Sequence, residues 1–143
     1  MELDDVGFFV DENTLALGKA ISGLRKDTAL IGRPPVDQLV GLGMQDIEWI
    51  PLVASRGWVV ITIDHHLRTR PYEAALAHEH GLKCVNLRGA GNLDRWSQLV
   101  RLAIHWDAVE QFIKERPDGP WWLSLTKNAR HEYSYKPASP ASQ

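Results

Sequence analysis

The chain has 143 residues, 44% hydrophobic and 24% charged, with a formal net charge of −2 and one cysteine. That length supports one globular domain. The charge excludes a broadly basic nucleic-acid binder but not a nuclease, because bound cations reverse the sign of an acidic pocket. The lone Cys84 has no internal partner, and in the apolar run of residues 82–85 it reads as a buried thiol in a reducing compartment.

Residues 6–10 form the first apolar run and predict a strand. Residues 14–26 follow as a helix, with Leu15, Leu17, Ile21 and Leu24 on its apolar side and Asp11 or Asn13 as cap. A short strand over 28–31 leads into a loop rich in Gly and Pro. Residues 46–56 predict a helix capped by Asp46; Pro51 removes one of its hydrogen bonds, so it should start late or bend. The clearest strand is 58–63, continuously apolar as central parallel strands are.

A helix over 71–80 begins with proline and ends at Gly81. Residues 82–87 give the next strand, and Asn92 caps one long helix to about 115. A turn at Asp118-Gly119-Pro120 precedes a last strand over 121–126. Residues 1–135 make the domain, and the Pro/Ser/Ala-rich stretch 136–143 is expected to be disordered. Four or five strands alternating with helices imply a three-layer α/β/α sandwich around a mostly parallel sheet.

Three carboxylates sit where strands give way to helices. Asp11 ends the first strand, Asp64 ends the 58–63 run, and Asp46 opens the helix between them. Open α/β sheets bind ligands at the carboxyl ends of their strands. Grouped carboxylates raise each other's pKa, and a hard cation relieves that repulsion. Asp11, Asp46 and Asp64 are therefore the candidate metal ligands, and the chemistry they suit is phosphodiester hydrolysis. Asp46 also fits a plain helix cap.

Glu12 should point away from Asp11 by strand alternation. Glu48 lies about 200° around the helix from Asp46, which leaves it at most a water-mediated role. Thr62 shares a side with Asp64 and is placed to orient it. Arg68 and Arg70 follow Asp64 closely; they are either a solvated loop or a hold on backbone phosphates. Adjacent histidines such as His65-His66 rarely ligate one ion, and no Cys or HxxxH partner accompanies them, so zinc is disfavoured. The turn Gly89-Ala90-Gly91-Asn92 lacks the spacing of a phosphate-binding loop.

The strings Phe8-Phe9-Val10-Asp11-Glu12-Asn13, Asp46-Ile47-Glu48-Trp49 and Val59-Val60-Ile61-Thr62-Ile63-Asp64 resemble PIN-like domains. In particular they resemble the VapC-type toxins of bacterial toxin–antitoxin pairs, over residues 7–126. The resemblance implies a Mg²⁺- or Mn²⁺-dependent ribonuclease in which Asp11, Asp46 and Asp64 take the acid positions, with Asn13, Glu48 and Thr62 in support. It further implies an RNA substrate and a small cognate antitoxin, and leaves homodimerisation open. The family's fourth acid position reads His65-His66 here, so either three acids suffice or Glu12 or Glu48 substitutes.

Two alternatives remain. A phospho-acceptor receiver module would use Asp11-Glu12, Asp64 and Lys127, but has Arg88-Gly89 where Ser or Thr is needed. A catalytically inactive PIN-like interaction domain would keep the acids as caps. The acidic N-terminus lacks the features of a signal peptide, and no apolar stretch approaches a membrane span. The expected compartment is the cytoplasm, with no membrane partner.

Overall fold

The first strand, β1 (Phe8–Val10), is pure apolar residue and is buried throughout. In the computed structural model, which describes residues 1–135, it runs parallel to β2 (Thr28–Leu30) on one side and β3 (Val59–Thr62) on the other. β4 (Lys83–Leu87) and β5 (Trp121–Leu125) continue the parallel sheet beyond β3, and β6 (Arg130–Tyr133) closes it as an antiparallel edge. The order is β2-β1-β3-β4-β5-β6. The chain leaves β1 toward one edge and returns to β3 on its other side, so the strand order reverses between β1 and β3. A crevice opens at the carboxyl ends of strands at such a reversal.

Helices cover both faces. Phe9, Val60, Cys84 and Trp122 pack beneath α2 (Asp46–Ser55), α3 (His66–Thr69) and α4 (Pro71–His80). Phe8, Val10, Ile61, Val85 and Leu123 pack beneath α1 (Leu15–Leu24), α5 (Arg95–Ile104) and α6 (Trp106–Glu115). This is the expected α/β/α sandwich with a mostly parallel sheet. Gly18 lets α1 lie directly on the sheet: a Cβ there would come within 2.5 Å of Leu30 Cδ2 and 2.8 Å of Val10 Cγ1. Gly81 ends α4 with φ of 74°, a left-handed cap.

Several local expectations are corrected. The single helix over 92–115 is two helices, broken at His105, which is buried and holds the β5–β6 connection. Its Nε2 lies 2.7 Å from the Thr126 carbonyl and its Nδ1 lies 3.2 Å from Arg130. Because arginine only donates, the geometry assigns the ring proton to Nε2. Asn92 ends a 3₁₀ turn, and Asp94 caps α5 by accepting from the Ser97 amide at 2.7 Å.

The helix over 46–56 does not start late: it spans Asp46–Ser55 with Pro51 inside, and its cap is Gln45, not Asp46. β6 carries no apolar alternation and is largely exposed, so hydrophobic patterning does not reveal it. Cys84 is fully buried, and burial pushes its thiol well above the ordinary range, consistent with an inert core residue. No helix among the described residues is long and apolar enough to cross a membrane. The expectation for residues 136–143 lies outside the described residues.

Candidate metal centre

β1 delivers Asp11 into the crevice, where its side chain turns inward instead of capping the following turn. The residue is only 3% exposed. Thr62, the last residue of β3, donates its hydroxyl to Asp11 Oδ2 at 3.1 Å. The other oxygen, Asp11 Oδ1, is buried without a hydrogen-bond partner. Burial pushes the Asp11 carboxyl up to about 7; the charges of Asp46 and Asp64 push the same way, and hydroxyl hydrogen bonds oppose them. A buried carboxylate oxygen with no partner is costly. It is the kind of atom a cation satisfies.

Asp64 lies beyond β3 in a tight web. Its amide donates to Thr62 Oγ1 at 3.0 Å, and its Oδ1 accepts from the His66 amide at 2.9 Å. Asn13 Nδ2 donates to Asp64 Oδ2 at 3.1 Å. The expectation for Thr62 is therefore refined: the hydroxyl grips the Asp64 backbone and the Asp11 carboxylate, joining two strand ends with one group. Thr14 and Asn86 brace the same corner, through Ile63 N to Thr14 Oγ1 at 3.1 Å and Asn86 Nδ2 to the Thr62 carbonyl at 3.1 Å.

Asp46 stands at the first position of α2, half-buried, and its Oδ1 accepts the Trp49 indole N–H at 3.1 Å. Burial raises its pKa and the Trp49 hydrogen bond opposes that; the charges of Asp64 and Glu73 raise it further, and Arg70 offsets them. The three acids thus lie within electrostatic reach of one another.

Glu48 turns away. Its Oε1 accepts from the Gln45 amide at 2.9 Å, so it locks the start of α2. Glu12 likewise points outward, accepting from the Gly43 amide at 2.9 Å. A further acid, Glu73 on the first turn of α4, lines a groove with Asp46 and its charge acts on that carboxyl. An acid in a first helical turn ordinarily reads as a dipole partner, so nothing in its spacing marks it.

The histidines are also placed differently from expectation. His66 Nδ1 lies 2.8 Å from Asp64 Oδ1. Ligand atoms of Asp64, His65 and His66 all fall within 4.8 Å of one another. The turn after Asp64 folds the histidine pair back onto the carboxylate.

Arg70 stays near the acids, 3.6 Å from Glu73. Arg68 does not. Its guanidinium lies 4.9 Å from the Tyr133 ring centre and donates to the Ser134 carbonyl at 3.4 Å, so it ties α3 to the end of β6. In this arrangement the Arg68 guanidinium is engaged with the end of β6.

The donor set, oxygen-rich with adjacent imidazoles, fits a divalent cation. A sequence model of the family described as PIN like domain matches residues 7–89, a span holding all three acids, Glu73 and both histidines. No curated protein and no solved structure matches the chain.

Proposed function

The chain belongs to the PIN-like domain family, whose members are generally nucleases, and from that premise we propose a metal-dependent endoribonuclease that hydrolyses RNA phosphodiesters. The carrying observation is Asp11 at the strand-order reversal, one of its oxygens buried and unpartnered and its carboxyl under the charges of Asp46 and Asp64. In this reading Asp11, Asp46 and Asp64 hold Mg²⁺ or Mn²⁺, and Glu73 and His66 shape the remaining side of the centre. The cation supplies charge neutralisation and a more acidic water for attack on phosphorus.

The remaining roles belong to this chain's own residues. Asn13 and the His66 amide fix the rotamer of Asp64, and Thr62 fixes that of Asp11. Trp49 holds Asp46 from behind. Arg70, beside the acids, is positioned to pair with a backbone phosphate once Glu73 is satisfied otherwise. The family assignment replaces the receiver alternative, and the inactive-domain alternative is decided by assay. On the likeness of its strand-end motifs to VapC-type toxins, we assign the physiological role to a cytoplasmic toxin restrained by a small antitoxin protein.

Labelled RNA incubated with the purified protein in Mg²⁺, in Mn²⁺ and in EDTA tests the reading. Internal cleavage that EDTA abolishes and either metal restores supports it. Cleavage that persists in EDTA, or no cleavage in any metal, contradicts it. A reading frame for a small protein beside this gene, whose product suppresses the cleavage, tests the toxin assignment.

A further inference from the structure

Two imidazoles follow Asp64 directly, and the backbone keeps both of them at its carboxylate. In an extended strand, neighbouring side chains would part to opposite faces. Here His65 is already helical (φ −86°, ψ −5°) and His66 opens α3, and the two ring centres lie 4.6 Å apart. His66 Nδ1 lies 2.8 Å from Asp64 Oδ1. One ligand atom from each of Asp64, His65 and His66 falls within 4.8 Å of the others.

A histidine beside an aspartate is by itself an ordinary polar contact. Two features set this one apart. Asp64 is fixed from three sides: its amide donates to Thr62 Oγ1, and its two oxygens accept from Asn13 and from the His66 amide. Thr62 Oγ1 also joins it to Asp11, which is 3% exposed and whose Oδ1 is buried with no partner. A fixed carboxylate, a stranded carboxylate oxygen and two imidazoles in one corner have a common use if an ion binds there.

We propose that this centre selects a nitrogen-accepting transition ion, Zn²⁺ or Co²⁺ ahead of Mn²⁺ and with Mg²⁺ last, and that His65 and His66 are ligands beside Asp64. This rests on the metal-centre reading above and names the class of ion it takes. Mg²⁺ keeps its waters and takes oxygen from carboxylates and phosphates. Imidazole suits Zn²⁺ and its neighbours, and affinity at a mixed nitrogen and oxygen site rises from Mn²⁺ through Co²⁺. The histidines therefore reward a transition ion and add little for Mg²⁺. Their adjacency in sequence, which disfavours a shared ion in an extended chain, is overcome by the helical turn at His65.

The test reads ion binding, not turnover. The metal-stripped protein is titrated with Co²⁺, followed by its ligand-field absorption, and with Zn²⁺ and Mg²⁺ by calorimetry. Zn²⁺ and Co²⁺ should bind at least about tenfold more tightly than Mg²⁺. His65→Gln and His66→Gln should each weaken Zn²⁺ and Co²⁺ binding by about tenfold and change the Co²⁺ spectrum, with Mg²⁺ binding unmoved. His78→Gln, in the last turn of α4, should bind all three ions as the wild type does. In wild-type protein carrying isotope-labelled histidine, Zn²⁺ should shift the ring nitrogen resonances of two of the six histidines, a readout that needs no variant to fold. Zn²⁺ binding no tighter than Mg²⁺, or fewer than two shifted rings, overturns the proposal. Equal losses of Zn²⁺ and Mg²⁺ affinity in the histidine variants also overturn it, reducing both residues to supports of Asp64. An equal loss in His78→Gln overturns it in favour of adventitious surface binding. Wild-type protein that binds Zn²⁺ as expected but cleaves no RNA in any metal contradicts the nuclease reading and leaves the ion assignment standing.

Discussion

Thr62 and Asp11 meet across the strand-order reversal: the threonine hydroxyl at the end of β3 donates to Asp11 Oδ2 at 3.1 Å. Thr62 Oγ1 in turn accepts from the Asp64 amide at 3.0 Å. A hydroxyl has one proton to give, and Asp11 Oδ1 has no hydrogen-bond partner of its own. Replacing Thr62 with Val keeps the shape but strands both the carboxylate oxygen and the amide. The loss should be about 1–3 kcal/mol of stability, together with a fall in nuclease activity. Thr62→Ser should retain most of both. Urea melts and RNA cleavage on the two variants check this, and a Val variant as stable and active as the Ser variant would show that the hydroxyl bridge is incidental.

The raised pKa of Asp11 gives the metal-free protein a defined pH response. Folded Asp11 keeps its proton up to about 7, whereas an ordinary carboxyl loses it near 3.8. Between those values the unfolded chain binds fewer protons than the native one at this site, so stability falls as pH rises. The contribution is fully present below about 3.8 and is gone above about 7. In EDTA, Asp11→Asn should gain on the wild type over that window and stay level with or above it at neutral pH. Melting curves of the two proteins across the window measure the difference; a constant gap would mean that Asp11 is ionised throughout.

Metal should reverse that cost. Mn²⁺ or Mg²⁺ binds the native cluster and not the unfolded chain, so it should raise the melting temperature of the wild type with ion concentration. Asp64→Asn should respond weakly. The same measurement separates ligands from caps, because losing a cap costs about 1 kcal/mol irrespective of metal. Equal metal responses in the two proteins would count against the centre.

The two arginines should part company. Arg68 stacks on Tyr133, so Arg68→Ala should lower stability by about 0.5–1 kcal/mol and leave RNA affinity intact. Arg70→Ala should instead weaken RNA binding and flatten its salt dependence, with little change in melting temperature. A salt-slope change in Arg68→Ala would restore it to the phosphate contacts.

Asp11 and Asp64 were legible because each stands at an abrupt end of an apolar run, Val10 to Asp11 and Ile63 to Asp64, and Asp46 because it opens a helix. Strand ends fix position strongly when both faces of the sheet are buried. The alternation of runs likewise gave the sandwich and its parallel core. What escaped depends on three-dimensional return. β6 is polar and largely exposed, and its only strand partner among the described residues is β5, so no hydrophobic period marks it. The break at His105 arises from a buried imidazole reaching Thr126 and Arg130, residues far along the chain. Glu73 joins Asp46 only because α4 packs against α2. His66 approaches Asp64 through a local turn that adjacent histidines do not announce.

Side-by-side RNA cleavage by the wild type and the single variants Asp11→Asn, Asp46→Asn and Asp64→Asn, in saturating Mg²⁺ and Mn²⁺, goes to the centre of the matter. Removing a principal electrostatic stabiliser typically costs about 10²–10³ in rate. If the three acids hold a catalytic cation, each variant should lose at least about a hundredfold while remaining folded. Wild-type rates in a folded Asp64→Asn protein would contradict it.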